Sequence, residues 1–328
     1  MQREQVNWGI IGCGDVTEVK SGPPYYIIKG FNLKAVMRRD KEKLQDYANR
    51  HNVEKTYTNA NDLINDAEID AVYIATPPDT HKLYALKVAA AGKPCCIEKP
   101  ITPTYNDALE IINAFESKNL PLFIAYYRRS LPRFLKIKEW LDNKFIGEIR
   151  HVSSHLSKPP SQTDLSGNYN WRTDKKLASA GYFDDLASHE LDLFTYLLGD
   201  ISTAKGIVTN QQNLYTALDA VTASWLHKNG ITGSGTWNFG CNDHVDKKII
   251  YGSKGTIEFS VFHENPIILK SETKNEELFI KNPKHIQLHH VELMRNDLIN
   301  NTDKHPSTGK TALHTSWVMH SILGQINK

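Results

Sequence analysis

Two short stretches of the chain carry residue types that can move protons at a substrate. In Ile97-Glu98-Lys99-Pro100 a lysine follows an apolar run and is turned by a proline. It therefore projects from the carboxyl edge of a strand, where open α/β sheets bind their ligands. In Asp185-Leu186-Ala187-Ser188-His189 an acid and an imidazole stand four apart, on one face of a helix, and Asp192 shares part of that face. An ammonium can stabilise a developing alkoxide or give it a proton. An imidazole, with an ordinary pKa of about 6.5, exchanges protons near neutrality. Asp185 can orient His189 or bond hydroxyl groups itself; the spacing permits both. Taken singly, each feature has a plain structural reading as a surface lysine, a turn proline or a polar helix face.

A third stretch can hold an anion. Gly9-Ile10-Ile11-Gly12-Cys13-Gly14 follows an apolar strand and leads into a crossover. Gly12 and Gly14 supply the tight turn and the close backbone approach that a pyrophosphate needs. Asp15 and Val16, which follow, are expected to complete the cofactor-binding loop, and Thr17 stands at the third fingerprint position in place of Gly or Ala. The next strand ends in Arg38-Arg39-Asp40. NAD enzymes usually place an acid there, on the ribose diol. Here a guanidinium stands at the tip, suited to a 2′-phosphate, with Arg39 beside it. Asp40 reads as the N-cap of the helix that follows. The expected cofactor is NADP, with NAD possible.

The elements that position these groups alternate over the first ~125 residues between short apolar runs and helical patterns, which signals a parallel sheet with crossover helices. Strands are expected at Val6–Ile11, Leu33–Met37, Ala71–Ala75, Cys95–Glu98 and Leu122–Tyr126. Helices are expected at Lys41–His51, Asn61–Asn65, Leu83–Ala91 and Thr104–Lys118. Beyond them come a helix at Leu131–Asn143, a strand from Glu148 to His155 and a polar loop from Lys158 to Gly181. The helix Tyr182–Leu198 and a run of strands from Thr203 to about Leu278 follow, with a hairpin at Gly252-Ser253-Lys254-Gly255. Helices Gln287–Asn300 and Lys310–Ile326 close the chain. The fold class is α/β: a doubly wound Rossmann domain over 1–125, then an α+β domain over 126–328 with an open, mostly antiparallel sheet. The last helix, about 308–328, is expected to return toward the N-terminal domain.

With 328 residues, 40% hydrophobic and 23% charged, the chain is long enough for two globular cores. A net charge of +2 without basic blocks speaks against nucleic-acid partners. No apolar run is long enough to span a membrane, and no signal peptide is evident. Cys13, Cys95, Cys96 and Cys241 suggest no disulfide framework, so a cytoplasmic setting is expected. His151 and His155 share a strand face without a third ligand, and His289-His290 reads as exposed, so no metal site is expected.

In combination the motifs are specific. Gly12-x-Gly14, Thr76-Pro77-Pro78 followed by His81, Glu98-Lys99-Pro100, Trp171-Arg172 and Gly181-x-x-x-Asp185-x-x-x-His189 occur in that order. The chain thereby resembles the Gfo/Idh/MocA oxidoreductases, a family including glucose–fructose oxidoreductase, inositol dehydrogenases and dihydrodiol dehydrogenase. The resemblance implies that Lys99 is the catalytic lysine, with Asp185 and His189 as the substrate-site pair. It places Glu98 beside the nicotinamide ribose and Thr76, Pro77 and His81 in the turn lining the cofactor. It puts Arg172, after Trp171, against substrate or phosphate. Tyr126-Tyr127-Arg128-Arg129 stands where Asn or His often precedes the arginines, so substrate contacts around Tyr127 are expected to differ. An open sheet serving as a homodimer or homotetramer interface is implied as well.

The expected function is hydride transfer between nicotinamide and a carbinol or carbonyl carbon of a sugar, cyclic polyol or related small molecule. The reading needs Lys99 and His189 to meet at the cofactor's reactive face, and leaves open which of them carries the proton. Trp171, Tyr169 and the 158–181 loop can instead shape a hydrophobic pocket, as for an aromatic diol. Two alternatives stand beside it: a redox-neutral epimerase or glycosidase with tightly held dinucleotide, and a nucleotide sensor without chemistry.

Overall fold

A computed structural model describes residues 4–300, 302 and 304–326. The chain forms two compact units, each discontinuous in sequence. The first takes the chain up to Ser130 together with Pro283–Leu313, and the second takes Leu131–Asn282 and the chain from His314 on.

The first unit is built on six parallel strands: β1 (Val6–Ile11), β2 (Phe31–Met37), β3 (Lys55–Tyr57), β4 (Ala71–Ile74), β5 (Cys95–Ile97) and β6 (Leu122–Ile124), in the order β3-β2-β1-β4-β5-β6. Each central strand is buried on both faces, so its successive side chains feed two separate cores. Ile11, Val72, Ile74, Cys95 and Ile97 enter one core; Trp8, Ile10, Tyr73 and Cys96 enter the other. Both cysteines are free and fully buried, as small apolar residues would be. In the second core Trp8 meets Tyr25 edge-on at 4.9 Å and Phe31 at 5.3 Å.

Helix boundaries follow their caps. Asp40 accepts from the Lys43 N–H at 3.1 Å and starts the helix Lys41–His51, as its position suggests. Thr104 caps Tyr105–Glu116 in the same way, accepting from the Asp107 N–H. Sequence patterns do not announce β3 or the short helices Asp15–Val19 and Pro24–Ile27, which are too short to show a period.

The 283–313 segment completes this unit. Val291 and Met294 of the helix Leu288–Arg295 enter the second core. Ser307 Oγ donates to the Ile124 carbonyl at 2.7 Å, and Thr308 forms a bridge with Phe123. Here the expected exposure of His290 is overturned: the residue is buried, with its ring 4.5 Å from that of His305. The helix turns one apolar face to the core, and His290 lies on that face beside Val291 and Met294.

His305 makes acid stability predictable. Its Nδ1 lies 3.0 Å from both the N–H and the carbonyl of Ser307, and Nε2 lies 3.1 Å from the His290 carbonyl. Burial pulls its pKa from 6.5 to about 4. Between those values the unfolded chain takes up a proton that the folded chain refuses. The stabilisation is therefore complete above pH 6.5, declines on acidification and is gone below about pH 4. It amounts to roughly 3 kcal/mol. His290, also depressed by burial, acts in the same direction. Denaturant titrations across this window should give a stability slope that His305→Gln flattens; an equally steep slope in the variant would remove His305 as its cause.

The second unit carries eight strands: β7 (Ile149–Ser157), β8 (Ile201–Thr209), β9 (Ala220–His227), β10 (Thr232–Asn238), β11 (Val245–Gly252), β12 (Gly255–Phe259), β13 (Ile267–Ser271) and β14 (Asn275–Leu278). Their order is β14-β13-β12-β11-β7-β10-β9-β8, antiparallel except where β10 runs parallel to β7. The helix Tyr182–Leu198 covers one face. Phe194 stacks on Trp225 at 5.9 Å, and Phe183 meets Trp237 edge-on at 5.0 Å. The other face is open: Ile207 is 79% exposed and Leu226 41%. His151 lies on it, between Thr232 and Ser234 as hydroxyl partners.

The 158–181 loop contains a one-turn helix, Gln162–Leu165, closed by a Ser161/Asp164 capping box. The last helix runs from Gly309 to Ile322 and so ends earlier than its pattern suggests, with Gly324 at φ +69° beyond it. No helix among the described residues is long and apolar enough to cross a membrane.

Candidate active site

In the first unit the candidate residues gather at the carboxyl ends of β1, β4 and β5. Gly12 adopts φ +93°, and a Cβ there would stand 2.7 Å from Thr76 Cγ2 and 3.0 Å from the Thr76 N. Only glycine lets the loop after β1 lie against the turn after β4. Around Gly14 the space is open: a Cβ would meet only the Gly12 carbonyl, at 4.0 Å. A tight turn followed by unfilled space over backbone fits a dinucleotide's pyrophosphate. Gly14 is the N-cap of Asp15–Val19; Asp15 is exposed and Val16 half-buried. Thr17 fits this loop without strain. It is buried, its hydroxyl donates to the Gly14 carbonyl at 2.8 Å, and its own carbonyl accepts from Tyr47 Oη at 3.0 Å.

At the tip of β2 the Arg38 guanidinium donates through Nη1 to the Cys13 carbonyl at 3.0 Å, tying the two loops together, while Arg39 is exposed. Asp40 is engaged as the helix cap.

Thr76 receives a hydrogen bond from Thr80 Oγ1 at 2.7 Å, and Pro77 is exposed. His81 lies behind this turn rather than lining its surface. Its ring is fully buried, with Nε2 2.8 Å from the Thr76 carbonyl and Nδ1 3.0 Å from that of Ile101 and 3.2 Å from that of Pro100. Burial lowers its pKa. The imidazole joins the Thr76 turn to the Lys99 turn, so it positions both.

Glu98 is buried and held from two sides. Tyr73 Oη donates to its Oε1 at 2.5 Å and Gln287 Nε2 to the same oxygen at 2.6 Å, while the Lys99 N–H reaches Oε2 at 3.2 Å. Lys99 itself is half-buried. Gln287 carries no motif signal; only the returning chain segment brings it to Glu98. Tyr127 is half-buried beneath the Arg128 guanidinium, 5.0 Å from its ring centroid.

In the second unit the helix 182–198 carries Asp185 and His189. Arg172 Nε donates to Asp185 Oδ2 at 2.9 Å and its guanidinium lies 4.5 Å over the Trp171 ring, so these three motif residues form one group. His189 is buried, its ring 6.3 Å from that of Phe262.

Three further groups here were not singled out by sequence patterns. Asp184, beside Asp185, accepts from the Ala180 N–H at 2.8 Å, and burial pushes its pKa up to about 7. Lys158 lies 3.9 Å over the Tyr182 ring, and burial pushes its pKa down. Lys248, fully buried, bridges Glu190 Oε1 at 2.7 Å and Asp246 Oδ1 at 2.6 Å. The doubled acid in Asp184-Asp185 is visible in the sequence; the other contacts join positions far apart.

Comparison with known proteins gives the family. A model described as oxidoreductase family, NAD-binding Rossmann fold, matches residues 6–126, and a Gfo/Idh/MocA C-terminal domain model matches residues 134–258. The chain belongs to the Gfo/Idh/MocA family of oxidoreductases and is an enzyme with an NAD-binding Rossmann fold. An oxidoreductase of Formosa agariphila is 40% identical over 286 residues, covering 86% of this chain and 88% of its own. Myo-inositol 2-dehydrogenase of Thermotoga maritima is 27% identical over 273 residues, covering 80% and 78%. The structure of a levoglucosan dehydrogenase in complex with NADH and levoglucosan superposes with a TM-score of 0.83 at 20% identity, over 98% of this chain and 97% of that one.

Proposed function

We propose that this oxidoreductase is an NADP-dependent dehydrogenase or reductase acting at a carbinol or carbonyl carbon of a sugar, cyclic polyol or related small molecule. The observation that carries the cofactor choice is the tip of β2. Arg38 stands there, anchored to Cys13 through one nitrogen, and the nearest acid, Asp40, is committed to its helix. The remaining guanidinium N–H groups suit a 2′-phosphate. Gly12, Gly14, Thr76 and Glu98 would hold the rest of the dinucleotide. The substrate class is supported by the myo-inositol dehydrogenase relative.

When bound, the nicotinamide takes or supplies the hydride. In the reductive direction Lys99 gives the carbonyl oxygen its proton as the hydroxyl forms; in oxidation it receives that proton back. Asp185 and His189 bind and orient the substrate hydroxyls, with Arg172 fixing Asp185. The same reading assigns the open face of the eight-stranded sheet to a homodimer or homotetramer interface and the enzyme to the cytoplasm.

The test is a panel of aldoses, keto-sugars, inositols and dihydrodiols assayed by nicotinamide absorbance with both cofactors. Arg38→Asp should move the NADP/NAD preference toward NAD by about tenfold or more, the loss of a charge-assisted phosphate contact plus a new repulsion. An unchanged ratio would remove the reason for naming NADP.

A further inference from the structure

Among the described residues of the second unit, Lys158 carries an ammonium with no acceptor, near the candidate substrate residues. Lys158 follows β7, with its backbone pinned by the Asn238 carbonyl at 3.0 Å. Its ammonium sits over the Tyr182 ring, and among the described residues it makes no hydrogen bond and no ion pair. The ring beneath it is fixed: Tyr182 Oη donates to the Asp164 carboxylate at 2.9 Å and accepts from Asn170 Nδ2 at 3.1 Å. The lysine is thus held half-buried on a rigid platform, with its donors unanswered.

Nearby acids are already committed. Asp164 also takes the Ser161 N–H and hydroxyl, Asp184 takes the Ala180 N–H, and Asp185 pairs with Arg172. Arg172 spends only Nε on that pair, so its terminal nitrogens are available to a ligand. Asn170, whose amide donates to Tyr182 Oη, also accepts from the Arg172 N–H at 3.2 Å, so the ring beneath Lys158 and the backbone of Arg172 are joined through one residue. A half-buried ammonium without an acceptor costs free energy, and a site is rarely built that way unless a ligand supplies the anion.

We propose that Lys158 and Arg172 form a carboxylate-binding subsite, so that the substrate is a sugar acid of the uronate type rather than a neutral sugar. This inference rests on the substrate reading above and narrows it. It predicts discrimination between substrates that differ only by a carboxylate in place of a hydroxymethyl group, because the charged contact exists for one of them alone.

The experiment pairs glucuronate with glucose and galacturonate with galactose. Turnover with saturating cofactor and calorimetric binding to the cofactor-loaded protein are both measured. The native enzyme should favour at least one uronate over its neutral partner by about tenfold or more. K158Q should cut that ratio by about an order of magnitude, and K158R should restore most of it because the charge is kept. R172Q should lower the ratio as well. Equal binding of the two members of each pair, or a ratio unmoved by K158Q, overturns the proposal. Oxidation of neutral sugars with such an unmoved ratio sinks the carboxylate subsite and leaves the dehydrogenase reading standing. Uronate binding that depends on Lys158, without turnover by either cofactor, supports the subsite and instead counts against the dehydrogenase reading.

Discussion

Replacing Lys99 by alanine lowers kcat by about 10²-fold or more, the usual effect of removing a positioned acid or base. The turn around it has anchors of its own. Glu98 is anchored by Tyr73 and Gln287, and His81 ties the following carbonyls to the Thr76 turn. The variant should therefore fold and bind the dinucleotide, and its deficit should fall on kcat. Lys99→Arg separates two roles. An arginine keeps the positive charge but does not give up its proton under working conditions. Failure of Arg to rescue marks Lys99 as the proton carrier; substantial rescue marks it as an electrostatic stabiliser of the alkoxide. Near-native turnover in Lys99→Ala would rule out both assignments and return the proton chemistry to His189.

The second large effect is on stability. Lys248→Met should destabilise the second unit by about 3–5 kcal/mol, because it leaves two buried carboxylates facing each other without their cation. Lys248, Glu190 and Asp246 form a closed network with no side-chain exposure at any of the ion pairs. Glu190 also accepts from Ser154 Oγ at 2.7 Å and Trp237 Nε1 at 2.9 Å. Asp246 accepts from the backbone N–H groups of Val261, Phe262 and His263. The Lys248→Met, Glu190→Gln double variant should recover part of the loss. The amide still accepts from Ser154 and Trp237, while Asp246 keeps its three backbone donors. Thermal or urea unfolding of the native, single and double variants measures this. A single variant within 1 kcal/mol of the native protein, on the order of a surface change, would show that the network bears little of the stability. Phe262 links the network to the candidate site: its N–H is held by Asp246 at 2.6 Å, and its ring lies against His189. Loss of Lys248 should therefore loosen the surroundings of His189 as well.

Much of the first unit was legible from the chain. Gly12 needs its positive φ for a close approach to Thr76, and a Gly-x-Gly after an apolar strand announces that turn. Asp40 was readable as a cap because capping is a contact over three residues. The helix Tyr182–Leu198 was readable because its apolar period runs for seventeen residues, and Gly199 ends it. His290 was misread because a pair of polar residues in a helix gives no sign of which one the neighbouring elements will cover.

What the sequence determined by itself was local. It set which of the longer segments are strands and helices, where the phosphate loop turns, and which residue types stand at the ends of those strands. Only the tertiary structure decided partners across long separations: Gln287 on Glu98, His305 against His290, Lys248 between Glu190 and Asp246, and Lys158 on Tyr182. Periodicity reports which face of an element is buried. It does not report which distant polar group will share that burial. Leaving a donor or charge inside without a counterpart costs several kcal/mol, and that cost is settled only when the whole chain has folded.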